Sequence, residues 1–243
     1  MRDYEEKEYD AWGAMSTDRE FALSAAFPAL MRKVYVWMTL ALAITALTAY
    51  GVASTPALLT AIYTSKFLFW GLIIAELGLV FYVSARIQRL SLSTATLLFI
   101  LYSIINGATL AFIFALYSTS IIVQTFVVTA GTFGAMAVYG YFTKKDLTSW
   151  GRLLLMALIG LIIAGVVNIF LHNSTMDLII SGIGVLVFVG LTAYDSQKIK
   201  QMLLMQEDMG ETAQKVALMG ALSLYLDFIN LFIYLLRIFG SRD

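Results

Sequence analysis

Cysteine is absent from the 243 residues, which excludes disulfides and thiolate metal sites without fixing a compartment. The single histidine, His172, cannot build a histidine-rich zinc site by itself. Charge is scarce: Asp, Glu, Lys and Arg make up 13% of the chain, against about a quarter in a soluble domain. Acids and bases balance, 16 against 16, and the isoelectric point is near 6.6, so the basic excess of a nucleic-acid binder is missing. P-loop, HExxH and GxSxG patterns do not occur. The opening residues, MRDYEEKEYDAWGAMSTDRE, carry mixed charge and no apolar run, so no signal peptide is expected and the first span must direct its own insertion.

What the chain has instead is hydrocarbon. Sixty per cent of it is hydrophobic and the mean hydropathy is +0.83, more than one core can absorb. Seven apolar runs emerge, at about 34–53, 67–87, 94–117, 121–142, 153–172, 176–198 and 216–239. Each can cross ~30 Å of hydrocarbon at ~1.5 Å per residue. Ten-residue segments of alternating polarity, the mark of a membrane barrel, are not seen. In lipid a helix satisfies its own backbone, so the fold class is all-α, with seven transmembrane helices over residues 34–240. Residues 1–33 form a tail. There Thr17 and Glu20 make a capping-box pattern, and the spacing predicts a surface helix that turns at Phe27–Pro28 into the first span. The connection 199–215 is long enough for a short interfacial helix.

Of the sixteen Lys and Arg, only Lys66, Arg237 and Arg242 fall on one side of this arrangement; the other thirteen fall on the side of the N-terminus. By the positive-inside tendency the N-terminus is cytoplasmic and the C-terminus outside.

The polar residues inside the spans carry the functional reading. In the seventh run, Gly220, Ser223, Asp227, Asn230, Tyr234 and Arg237 follow one another at steps of three and four, so they share one helical face. A charge at the bilayer centre costs ~2.5–3.5 kcal/mol on the mildest scale, so this stripe must face protein or water. The apolar remainder suits a span covered by others on several sides. Asp195 closes the sixth run near Lys198 and Lys200, and successive antiparallel helices are usually neighbours, so Asp195 and Asp227 can approach. Two carboxylates in one dry site cannot both ionise cheaply; such a pair titrates as a unit and shares a proton. The competing reading has Asp195 paired with Lys198 or Lys200 at the interface, and Asp227 in a structural hydrogen bond. Glu76 lies deep in the second run as a candidate cation ligand or proton acceptor. Arg86, ten residues on, is at the level of Asp195, although snorkelling to lipid phosphates competes.

Other features read as packing. Gly131 and Gly134 in the fourth run, Asn106 and Gly107 in the third, and the series Gly160, Ala164, Asn168 and His172 in the fifth suit close helix approach. No lysine lies inside a span, which excludes a retinal Schiff base. The surroundings of the two aspartates, AYDSQ and YLDFIN, lack the glycine expected of an intramembrane aspartyl protease, and no enzyme activity is expected.

The strings SARI after Glu76, YSIINGATLAFIF, YGYFTKKDLTSWG, LTAYDSQKIK and ALSLYLDFINLFIYLLRIFG resemble the Bax inhibitor-1 family, the transmembrane Bax-inhibitor-motif proteins, from about Pro28 to Gly240. Short loops and tail are similar to those of a bacterial member, which implies the inner membrane. The resemblance implies seven helices with the last surrounded by the other six. It implies a cation leak, chiefly of calcium, controlled by pH through the residues matching Asp195 and Asp227. It implies that Arg86 holds the closed state and that Glu76 lines the pathway. The expectation is therefore a pH-sensitive calcium leak channel. Asp195, Asp227 and Arg86 form its gate, Glu76, Asn230 and Asn106 lie along the pathway, and Asp195, Asp227 and Glu76 contact calcium. Lipid, calcium and protons are its partners, and no cofactor is expected beyond the transported ion. A proton-coupled calcium exchanger and a non-transporting regulatory membrane protein are the rivals.

Overall fold

The computed structural model describes residues 2–206 and 210–240, and within the first helix the side chains from Phe27 onward. Among the described residues there are nine helices and no strand: α1 (Arg2–Ala53), α2 (Pro56–Thr64), α3 (Lys66–Arg86), α4 (Leu92–Leu110), α5 (Ile113–Leu116), α6 (Thr119–Phe142), α7 (Thr148–Leu171), α8 (Ser174–Leu204) and α9 (Glu211–Gly240). Seven spans are long and apolar enough to cross a membrane, with α4 and α5 together forming the third and α2 lying between the first and second.

Local chemistry sets where spans begin. The side chains of Ser65, Ser91, Ser118 and Asn173 each accept a hydrogen bond from the backbone N–H three residues on, at 3.0–3.4 Å. Each thereby caps one orphan donor at a helix start. At the other end of α7, His172 takes the left-handed conformation (φ 50°), which turns the chain into α8 within two residues.

The turn expected at Phe27–Pro28 is not found; α1 runs through Pro28. Proline removes one helical hydrogen bond. Here the helix is held on both sides of it, by Phe27 stacked on Tyr141 at 6.0 Å and by buried Leu30, Met31 and Val34. The capping pattern at Thr17 and Glu20 lies outside the described side chains. The connection after the sixth span holds no separate helix among its described residues, because α8 itself continues to Leu204.

The connections alternate between two ends. At one end Lys33 donates to Gln214, Lys200 to the Tyr141 carbonyl, and the Leu92 N–H to Glu211. At the other, Tyr63 bonds the C-terminal turn of α4, Tyr50 meets Phe114, and Arg237 pairs with Asp177. Below, these are the lysine-rich end and the far end.

α9 is the most buried span: 67% of its apolar stretch is buried, against 6% for α3 and for α7. It packs against α8, α1, α6 and α4, whereas α3 leans chiefly on α4 and α7 on α8. The expected enclosure by all six other spans is thus reduced to four principal neighbours. Close approach occurs at Gly107, where an added Cβ would meet Thr48 Cβ at 2.7 Å, and at Gly140, where it would strike the Ala193 carbonyl. The glycines expected to pack closely at Gly131, Gly134 and Gly160 have open space instead, because their helix faces look outward.

Candidate functional site

The polar stripe of α9 faces α8. Gly220 lies against Ile199, Tyr234 stacks on Phe188 at 5.8 Å in the space left by Gly184, and Arg237 reaches Asp177 at 3.3 Å. These contacts set an antiparallel register. Seven residues from Gly220 to Asp227 correspond to seven from Ile199 back to Thr192. Seven from Tyr234 back to Asp227 correspond to seven from Phe188 on to Asp195. Asp227 therefore stands level with residues 192–195, the turn of α8 that carries Asp195. Asp227 is 5% exposed and its Oδ2 has no hydrogen-bond partner among the described residues. A buried carboxylate oxygen left without a donor is costly, and such sites are retained for a reason other than stability.

Asp195 is half-buried, and the sequence around it is pinned on every side. Ser196 donates to the Ala137 carbonyl on α6 at 2.8 Å, and its oxygen lies 3.4 Å from the Tyr35 hydroxyl on α1. Gln197 donates to the Lys145 carbonyl (2.8 Å) and accepts from the Leu147 N–H (2.9 Å), clamping the α6–α7 loop. Lys200 is engaged with Tyr141, both at its carbonyl and over its ring, so it is not the partner of Asp195. Lys198 is exposed but its charge does act on Asp195.

Glu76 belongs to a second cluster. Thr109 Oγ1 lies 2.5 Å from one of its carboxylate oxygens, and Asn106 Nδ2 donates to the other at 3.4 Å. The Asn106 carbonyl oxygen accepts from Tyr225 on α9 at 2.9 Å, and the Tyr225 hydroxyl meets Thr45 of α1 at 2.7 Å. Thr45 in turn donates to the Ser103 carbonyl. Four helices, α1, α3, α4 and α9, are joined through this chain. Tyr225 is completely buried, edge-on to Phe99 and Tyr102. Sequence reasoning gave it no role because it lies off the polar stripe; the signal available was a phenol among the Leu, Ile and Phe of the stripe's opposite face.

The two clusters do not merge. Residues two apart on a helix point ~200° from each other, so Tyr225 and Asp227 face opposite sides of α9 at nearly one depth. Glu76 therefore lies on the other side of α9 from the two aspartates, so the three acids expected to contact calcium fall into two places. Among the described residues no three acidic or histidine side chains gather as a metal cage. Arg86 is not brought to the aspartates either; it is exposed at the end of α3, which does not pack on α8 or α9 as a principal neighbour. Asn230 remains on the stripe, with its amide turned back to the Leu226 carbonyl at 2.8 Å. His172 caps the far end of α7 and is exposed.

Seven apolar spans, the last of them the most buried, with carboxylates held inside the protein, define a polytopic integral membrane protein. The sequence profile of the family described as inhibitor of apoptosis-promoting Bax1 matches residues 28–243, and the chain belongs to that family. It is similar to the inner membrane protein YbhL of Escherichia coli, 50% identical over 214 residues covering 87% of this chain and 91% of that one. Uncharacterized proteins of Borreliella burgdorferi (44% over 212 residues, 87% and 91%) and Deinococcus radiodurans (43% over 213 residues, 88% and 90%) are also similar.

Proposed function

We propose that the chain is a pH-sensitive calcium leak channel of the inner membrane, with Asp195 and Asp227 as its proton-operated gate. The observation that carries this reading is the Asp227 carboxylate, buried at 5% exposure with one oxygen unpartnered and level with Asp195 across the α8–α9 contact. Adding or removing a proton there changes the attraction between α8 and α9, and α9 is the helix on which four others rest. Glu76, Asn106 and Asn230 supply oxygen along the pathway, on two sides of α9. Arg86, standing apart from the aspartates, would act on the gate only through a rearrangement of α3. The thirteen Lys and Arg that the sequence puts on the side of the N-terminus, against three on the other, support a cytoplasmic N-terminus.

The test is calcium efflux from liposomes holding the purified protein, measured across pH, with Asp227→Asn as the variant. The reading requires that wild-type flux depend on pH and that the substitution remove this dependence. Wild-type vesicles no leakier than empty ones, or a variant with an unchanged pH profile, would contradict it. Uphill calcium movement driven by a proton gradient would replace the leak with an exchanger.

A further inference from the structure

The third span is broken. α4 ends at Leu110 and α5 begins at Ile113, and the Phe112 N–H, which would bond the Ala108 carbonyl in a continuous helix, goes elsewhere. It donates to the Tyr63 hydroxyl at 3.0 Å. The single proton of that hydroxyl points to the carbonyls of Thr109 (2.8 Å) and Ala108 (3.1 Å), which share it. A side chain from α2 therefore fills the breach in the helix ladder and holds the Thr109 carbonyl released there, while the Ala108 carbonyl also accepts the Ala111 N–H at 3.4 Å.

Those carbonyls belong to the turn that holds Glu76. The Thr109 side-chain oxygen contacts the Glu76 carboxylate while its backbone oxygen is held by Tyr63, and the Glu76 charge acts on the Tyr63 phenol. Two carboxylate oxygens, the Thr109 hydroxyl and the Thr109 backbone carbonyl make an oxygen-only donor set, the chemistry of a hard divalent cation. Broken helices place freed carbonyls at ion sites in membrane proteins generally. Burial and the Glu76 charge raise the Tyr63 pKa while the Phe112 N–H opposes this, so the phenol stays protonated and serves as a donor. α2 is suited to move. It is nine residues long, flanked by extended Thr55 and Ser65, and only Ile62 of it is buried.

We propose that Tyr63 is a plug at the far end of the pathway: its hydroxyl holds the Thr109 carbonyl, and its withdrawal frees that oxygen, beside Glu76, to bind a divalent cation. The proposal deepens the leak-channel reading and rests on it for its role in transport, but the cation site can be tested without flux. A ligand that needs Tyr63 withdrawn binds with an affinity reduced by the fraction of time the plug is open. Tyr63→Phe keeps the ring contacts with Phe69 and Phe112 and removes the hydroxyl.

Titrating calcium chloride into the purified protein in detergent should show Tyr63→Phe binding calcium about three- to ten-fold more tightly than wild type, the factor expected from losing hydrogen bonds of ordinary net strength. Adding Glu76→Gln to that variant should abolish the gain. Unchanged or weaker binding by Tyr63→Phe, or a gain that survives Glu76→Gln, overturns the plug. Should Tyr63→Phe not fold, hydrogen exchange on the wild type decides: saturating calcium must deprotect the Phe112 amide in wild type and not in Glu76→Gln, and equal protection overturns the proposal. Calcium efflux from wild-type liposomes, run in parallel against empty vesicles, tests the leak reading alone.

Discussion

Tyr225 and Asp227 are two residues apart in the chain and on opposite faces of α9. The phenol donates to Asn106 on one side, and the carboxylate faces α8 on the other. A single helix thus carries a fully satisfied hydroxyl toward α1 and α4 and an acid with an orphaned oxygen toward Asp195. The first contact binds the bundle; the second is the one the proposed gate uses. The two sides call for different experimental behaviour.

Tyr225→Phe should destabilise the protein by about 1–3 kcal/mol, because it strands the buried carbonyl oxygen of Asn106. It should leave the pH midpoint of calcium efflux where it is, since the phenol faces away from the aspartates. Thermal unfolding in detergent and the efflux profile check the two halves. A shifted midpoint with unchanged stability would reverse the roles assigned to the two faces.

Gln197→Ala removes both hydrogen bonds that tie α8 to the α6–α7 loop. The loop backbone at Lys145 and Leu147 then loses its partners on α8, and a loss of about 1–2 kcal/mol is expected. Protease cleavage within residues 143–147 should become faster than in wild type, by an amount that tracks this change if local opening governs the rate. Cleavage at the wild-type rate would show that the loop is held by other contacts.

Much of this arrangement was legible in the sequence, and what was not has a common cause. The spans read correctly because a run of twenty apolar residues has one solution in lipid. Asp227 stood out because a charge interrupting such a run needs an explanation on its own helix. Tyr225, Tyr63 and Gln197 did not stand out, because each draws its meaning from a partner far along the chain: Asn106 is 119 residues from Tyr225, and Lys145 is 52 from Gln197. Separation in sequence hides such partners where periodicity does not. That Glu76 and the aspartates lie on opposite sides of α9 was also hidden, since it depends on how α3, α4 and α8 pack around that helix.

Asp146 offers a pH test outside the membrane. Its carboxylate accepts from the Thr148 N–H at 2.9 Å, capping the start of α7, and this bond with that of the Thr148 side chain holds its pKa below the usual aspartate range. A folded-state pKa below the unfolded value adds stability above the unfolded pKa of about 3.9 and loses it as pH falls through the folded one. Asp146→Asn should therefore melt below wild type at neutral pH, and the difference should shrink as pH is lowered beneath about 4. A difference that is constant from neutral pH to pH 3 would assign the effect to something other than the charge.

The glycines supply a matched pair of opposite sign. At Gly107 an added methyl would sit 2.5 Å from the Thr45 carbonyl and 2.7 Å from Thr48 Cβ, and neither is the free end of a flexible side chain. α1 and α4 would have to separate, straining the Thr45–Tyr225–Asn106 hydrogen bonds that cross the same contact. Overpacking of this kind costs about 1–3 kcal/mol. At Gly160 an added methyl meets nothing within 4 Å, so alanine brings only its helix propensity, a gain of up to about 1 kcal/mol. Gly107→Ala should lower the melting temperature and Gly160→Ala should hold or raise it. Because both are the same chemical change in apolar helices, a common response would mean that propensity, and not the α1–α4 approach, decides what glycine does in this bundle.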